Sequence, residues 1–243
     1  MILEICTGSI ESVIAAQKGG AQRVELCAAL SEGGVTPSLG LMREARKVQG
    51  IKMNVLIRPR GGDFLYTEEE VRIMVADILA AGDIGADGVV IGALTKDGDV
   101  DMDICRRLVA AAGGMSVTFH RAFDMARDAD KALEDVISLG CDRILTSGLK
   151  PTAEQGMSML KHLAERANGR ISIMPGSGVS PQNAAMICGF VGNTEIHASA
   201  RSSRQSMMVY RNPTVTMGAK DADEYALKET DPAIVAEIIK ALR

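Results

Sequence analysis

Tryptophan is absent from this chain, and its aromatic complement is limited to three Tyr and four Phe in 243 residues. A core with so few large rings must be filled by aliphatic side chains, and at 47% hydrophobic residues the supply of Ala, Val, Ile, Leu and Met is ample. Small aliphatic residues suit strands buried on both faces. An excess of positive charge is lacking as well, since 27 Lys and Arg stand against 31 Asp and Glu for a net charge of −4. No basic stripe for nucleic acid results, so no nucleic-acid partner is expected.

Long hydrophobic runs are also missing. No stretch reaches the roughly 18 apolar residues of a membrane span, and Ile2, Leu3 and Ile5 read as the start of a strand rather than a signal peptide. The expectation is a cytoplasmic protein without a membrane partner. The five cysteines form no Cys-x-x-Cys pair and are odd in number, which fits neither a disulfide framework nor a zinc ribbon. Reduced thiols follow.

What the chain does have is rhythm. Apolar runs near 2–6, 22–27, 51–58, 87–92, 115–120, 142–146, 170–175 and 194–198 read as strands, and segments of helical periodicity lie between them. Gly20-Ala21-Gln22-Arg23-Val24, Gly85-Ala86-Asp87-Gly88-Val89, Gly140-Cys141-Asp142-Arg143-Ile144 and the looser Gly192-Asn193-Thr194-Glu195-Ile196 repeat one junction, in which a glycine stops a helix and β-branched residues begin a strand. Thr67 with Glu70 and Thr152 with Gln155 have capping-box spacing, while Ser180-Pro181 and Asp231-Pro232 place proline at a first helical position. This is the α/β pattern of a (β/α)8 TIM barrel, a parallel eight-stranded barrel with outer helices, formed by residues 1–243 as a single domain. Only 202–229 lacks periodicity, and so long a segment is expected to be functional or an interface element.

A parallel barrel gathers the C-terminal ends of its strands at one mouth, where a site can be built from residues distant in sequence. Glu4 with Cys6, and Glu25 with Cys27, share a face on neighbouring strands, because side chains alternate along a strand. Thiolates select soft metals such as Cu(I) or Zn, whereas paired carboxylates bind harder ions or exchange protons. The plain alternative makes the cysteines small buried hydrophobes. Arg58 and Arg60, flanking Pro59 before Gly61-Gly62, could grip a carboxylate or phosphate, or pair with Glu4 and Glu25 inside the mouth.

The fifth strand ends in His120-Arg121-Ala122-Phe123-Asp124, which puts an imidazole, a guanidinium and a carboxylate together. Gly176-Ser177-Gly178 after the seventh strand, with Ser199 and Arg201 after the eighth, is placed like the phosphate cradles of barrels, although a tight turn also needs glycine. His197 closes the eighth strand and should return beside Glu4. Most of the fourteen Met fall among helical core positions and call for no metal.

These residues carry a family resemblance. Val24-Glu25-Leu26-Cys27, Leu30-Ser31-Glu32-Gly33-Gly34, Arg58-Pro59-Arg60-Gly61-Gly62-Asp63-Phe64, Gly92-Ala93-Leu94, Phe119-His120-Arg121-Ala122-Phe123-Asp124, Leu145-Thr146-Ser147-Gly148 and His197-Ala198-Ser199-Ala200-Arg201 resemble the CutC family. The resemblance spans about residues 1 to 218. It implies a TIM-barrel copper homeostasis protein of the cytoplasm that forms homodimers or larger oligomers, with Cu(I) held by cysteines matching Cys6 and Cys27. The residues themselves keep a second reading open: a barrel enzyme acting on a small anionic or phosphorylated metabolite. There Glu4, Glu25, His120, Asp124 and His197 would supply the catalytic groups, and Arg58, Arg60, Arg121, Gly176, Ser177, Gly178, Ser199 and Arg201 would hold the anion.

Overall fold

A computed structural model describes residues 1–215, 217 and 223–243. Eight β/α units follow one another: β1 (Ile2–Thr7) and α1 (Ile10–Lys18), β2 (Arg23–Leu26) and α2 (Leu39–Arg46), β3 (Lys52–Leu56) and α3 (Glu68–Ile84), β4 (Gly88–Ile91) and α4 (Met102–Ala112). Then come β5 (Ser116–Phe119) and α5 (Ala129–Ser138), β6 (Arg143–Thr146) and α6 (Met157–Ala167), β7 (Ser172–Pro175) and α7 (Ala184–Val191), and β8 (Glu195–Ala198). The eighth helix, α8 (Pro232–Ala241), is reached through two further strands, β9 (Arg201–Gln205) and β10 (Ala226–Thr230).

The eight parallel strands are hydrogen-bonded in the order β7-β6-β5-β4-β3-β2-β1-β8, and the two ends of that order lie side by side. The architecture is the TIM barrel that the strand rhythm predicts. Glycines set the junctions as expected: Gly20, Gly85, Gly140 and Gly192 all have φ between 75 and 93°, where other residues are strained. Thr67 and Glu70 form the reciprocal capping box of α3, and Pro232 opens α8 behind the Asp231 cap. Thr152 and Ser180 instead open turns, and α6 and α7 begin only at Met157 and Ala184.

Outward-facing strand residues such as Ile5, Val24, Val55, Val89 and Ile173 pack against Val13, Met74, Leu108, Leu160 and Val235 of the helix ring. Each such side chain contributes about 1.5–3 kcal/mol when fully buried. The inward faces differ. Glu4, Arg23, Asn54, Thr118 and Glu195 are all buried polar groups, so the barrel interior is held by hydrogen bonds and charge pairs as well as by packing.

The segment 202–229, read as lacking periodicity, begins and ends in an antiparallel pair, with Thr230 opposite Arg201 and Ala226 opposite Gln205. Residues 216 and 218–222 of that segment lie outside the described residues. All five residues of β9 are exposed, which is why no alternation marks it in sequence. The pair is tied to the barrel where the Thr230 amide donates to Ser12 Oγ and the Asp231 amide to the Ala200 carbonyl.

Candidate functional site

Register decides which side chains meet. Glu4 lies opposite Arg23 on one side and His197 on the other, while Cys6 lies opposite Glu25. Alternation then turns Glu4, Cys6, Glu25, Cys27 and His197 into the same corner of the barrel interior. Beneath them is a charge network: Arg23 bonds Glu4 Oε2 through Nε and Glu195 Oε2 through Nη2, and Arg143 Nε donates to Glu195 at 3.1 Å. Two guanidinium groups thus balance two carboxylates. Arg23, Arg143, Asn54 and Glu195 were not among the sequence candidates, although the alternation that pairs Glu25 with Cys27 also reaches back to Arg23.

Burial alone would raise the Glu4 carboxyl, but the His197 hydrogen bond at 2.8 Å and the Arg23 charge bring it down to about 2. Burial disfavours a charged His197, yet its bonds to Cys6 and Glu4 and the charges of Glu25 and Glu4 hold it protonated, well above its ordinary value. Cys6 is lowered to about 5, first by a hydrogen bond from Cys27 and, against the effect of burial, by His197. Burial lifts Glu25 to about 8, with His197 Nε2 at 3.8 Å from Oε2 pulling the other way. Cys27 is raised, led by its bond to Cys6, with burial and the nearby Glu25 adding to the effect. The corner therefore holds one thiolate, one thiol and a carboxyl poised near neutrality.

One ligand atom from each of Cys6, Glu25 and Cys27 lies within 4.8 Å of the other two. Among the described residues no other trio of His, Cys, Asp or Glu is so arranged. Cys27, Leu56 and Val90 form a small apolar cluster, against which Cys6 and Leu30 pack.

The other candidates occupy separate positions. Arg58 is buried and donates to the carbonyls of Glu32, Gly34 and Gly62, stapling the loops after β2 and β3. Arg60 gives its donors to Glu70, Asp63 and the carbonyls of Gly61, Asp63 and Leu65, a surface arrangement away from the mouth cysteines. Asp124 accepts from Thr146, Ser147, Leu149 and Arg121, so it pins the β5 loop to the β6 loop. Arg121 completes that clasp with a bond to Ser147 Oγ at 3.0 Å.

Gly176 backs onto His197, where a Cβ would stand 3.3 Å from the His197 Cβ. Ser177, at φ 78°, bonds the Pro151 carbonyl, and Gly178 approaches Thr152. Ser199 is half-buried and Arg201 exposed, with the Arg201 charge contributing to the lowering at Cys6. His120 is buried at the end of β5, against Phe64 and Gly92. Burial first, and then the Arg58 charge, depress its imidazole to about 3, so it is neutral.

The CutC family profile matches residues 1–202. The chain belongs to the CutC family. A CutC family protein from Chromobacterium violaceum is 52% identical over 241 residues, covering 99% of this chain and 98% of the relative. The human copper homeostasis protein cutC homolog is 49% identical over 231 residues, covering 95% of this chain and 85% of the human one. Among solved structures, a copper homeostasis protein CutC from Streptococcus agalactiae superimposes with a TM-score of 0.79 at 36% identity, over 82% of this chain and 98% of its own. Phosphoribosylanthranilate isomerase from Pyrococcus furiosus, at 13% identity and a TM-score of 0.57 over 100% of this chain and 98% of its own, shares the barrel fold alone. This chain is thus a member of a copper homeostasis family, and among its described residues no helix is long and apolar enough to cross a membrane.

Proposed function

We propose that this CutC family member binds Cu(I) between Cys6 and Cys27 as its part in copper homeostasis in the cytoplasm. The observation that carries the reading is the clustering of the two sulfurs, within 4.8 Å of each other, at the barrel mouth. Taking Cu–S bonds to resemble zinc thiolates at about 2.3 Å, a two-coordinate ion needs sulfurs about 4.6 Å apart. Cys6 is already poised as thiolate, and a cation would replace the proton that Cys27 shares with it. Glu25, lifted to about 8, is neutral near pH 7 and a hard oxygen donor, so it supports the sulfurs by hydrogen bonding rather than by ligation.

Anaerobic Cu(I) titration against a competing chelator tests the site. One ion per chain is expected, with affinity lost in the Cys6→Ser, Cys27→Ser variant, and unchanged affinity in that variant would remove both residues as ligands.

Self-association is the companion proposal, with a second copy of the chain as the partner. It is supported by the resemblance and by the apolar residues of the β9–β10 excursion, where Met207, Val209 and Tyr210 are 89%, 98% and 74% exposed. Sedimentation equilibrium of the wild type and of a Met207→Ser, Val209→Ser, Tyr210→Ser variant checks it.

A second reading, a barrel enzyme acting on a small anionic metabolite, draws support from Glu25 and His197, a carboxyl near neutrality 3.8 Å from an imidazolium. Metabolite-induced thermal shifts, retained in wild type and lost in Glu25→Gln, test that reading.

A further inference from the structure

On the β3–β5 side of the mouth, Arg58 Nε, Tyr66 Oη and His120 Nε2 are buried without a hydrogen bond of normal geometry, the Tyr66 hydroxyl lying beside the Arg58 guanidinium. Their residues are only 6%, 7% and 4% exposed. An unmatched buried donor costs about 1–3 kcal/mol, so such groups gathered about Arg58 are an unusual burden for a fold to carry without a ligand.

The chemistry of the three atoms has one sign. His120 Nδ1 accepts the Ala122 amide at 3.1 Å, which leaves the proton of the neutral ring on Nε2. Arg58 Nε carries a proton in any state, and the Tyr66 hydroxyl can donate. Arg58 also lacks a counter-ion. Its nitrogens face backbone carbonyls and the neutral Tyr66 hydroxyl, and among the described residues no carboxylate pairs with it, unlike Arg23 and Arg143 below. A buried charge is ordinarily paired.

Phe64 lies against both cationic and imidazole partners. Its ring centroid is 5.0 Å from the His120 ring and 5.0 Å from Arg58 Cζ, and the side chain is only half-buried on the loop after β3. From these positions we infer that Arg58, Tyr66 and His120 form a binding site for one small anion with a carboxylate or phosphate oxygen, covered by Phe64. The anion supplies the missing negative charge and accepts from the three donors, and Phe64 swings outward to admit it. This site is distinct from the Cys6–Cys27 corner and does not depend on copper binding there.

The test is titration with inorganic phosphate and, separately, acetate, at ionic strength held constant with chloride. The readouts are the His120 Nε2 resonance by 1H–15N NMR and the melting temperature. A saturable His120 shift with a rise in melting temperature is expected for at least one probe, and it persists in the Cys6→Ser, Cys27→Ser variant. Phe64→Ala removes the cover, so its apparent Kd tightens several-fold, as expected when a closed state no longer competes with binding.

Absence of a saturable His120 shift in both wild type and Phe64→Ala overturns the inference. So does an equal thermal rise in a folded His120→Phe variant, which would place the anion elsewhere. Loss of the response in the cysteine variant would assign it to the other corner and likewise refute a separate site.

Discussion

Removing the Arg23 guanidinium while keeping its bulk, as in Arg23→Met, should destabilise this barrel more than any single surface change. Arg23 is 4% exposed, bonds Glu4 and Glu195 together, and packs Nη2 at 3.2 Å from Met174 Sδ. Its loss strands two buried carboxylates, though not completely. Glu195 keeps Arg143 at 3.1 Å, and Glu4 keeps His197 at 2.8 Å. Breaking a buried pair from one side costs about 3–5 kcal/mol, and the residual partners put the expectation near the lower figure, about 3 kcal/mol. For a chain of 243 residues, an unfolding entropy of about 2.1 cal/mol/K per residue converts each kcal/mol into about 2 °C, so the melting temperature should fall by about 6 °C. Far-UV circular dichroism provides the assay. Adding Glu4→Gln to Arg23→Met should recover part of the loss, because the second change removes the excess negative charge left in the interior when the guanidinium is gone. A fall of less than about 2 °C in Arg23→Met, or no recovery in the double variant, would refute the view that this pair network anchors the interior.

Three further outcomes are expected. His120 is neutral in the fold with a value of about 3 against an ordinary 6.5, so the unfolded chain takes up the proton first. Its contribution is therefore intact above pH 6.5 and is lost as pH falls toward 3, by up to about 5 kcal/mol, and an Hε1 resonance that titrated near pH 6 in the folded protein would contradict this. Thr67→Ala breaks the α3 capping box and should lower stability by about 1 kcal/mol in chemical denaturation, with Thr67→Ser close to wild type. Gly156→Ala would place a Cβ 1.8 Å from the Ser147 carbonyl oxygen, so a loss of at least about 1–3 kcal/mol is expected from the forced backbone shift, again read by denaturation.

The barrel was legible because its signals are local. Each strand carries its own apolar run, and each αβ junction carries a glycine that the structure holds at positive φ. β9 and β10 were not legible for the opposite reason: Arg201–Gln205 is exposed along its length, so no buried face imposes alternation, and its pairing with Ala226–Thr230 spans a long connection. The meeting of Glu4, Cys6, Glu25 and Cys27 followed from side-chain alternation and strand order. What sequence could not separate were Arg58 and Arg60, two residues of one Arg-Pro-Arg motif beyond the end of β3. One turns inward onto carbonyls and the other outward onto Glu70, a difference set by the loop path and invisible to periodicity.

The interior also explains how one mouth can hold two different chemistries. Lower in the barrel the charges cancel, Arg23 and Arg143 against Glu4 and Glu195. Above them Cys27, Leu56 and Val90 form an apolar cluster at β2 to β4, with Cys6 and Leu30 packed against it. Low polarity strengthens whatever charge lies beside it. On one side hydrogen bonds and the His197 charge favour a Cys6 thiolate while burial keeps Glu25 neutral; on the other, burial and the Arg58 charge keep His120 neutral. A soft cation matches the first environment and needs no arginine. An anion matches the second and needs no sulfur, so occupation of one corner leaves the charge requirement of the other unmet.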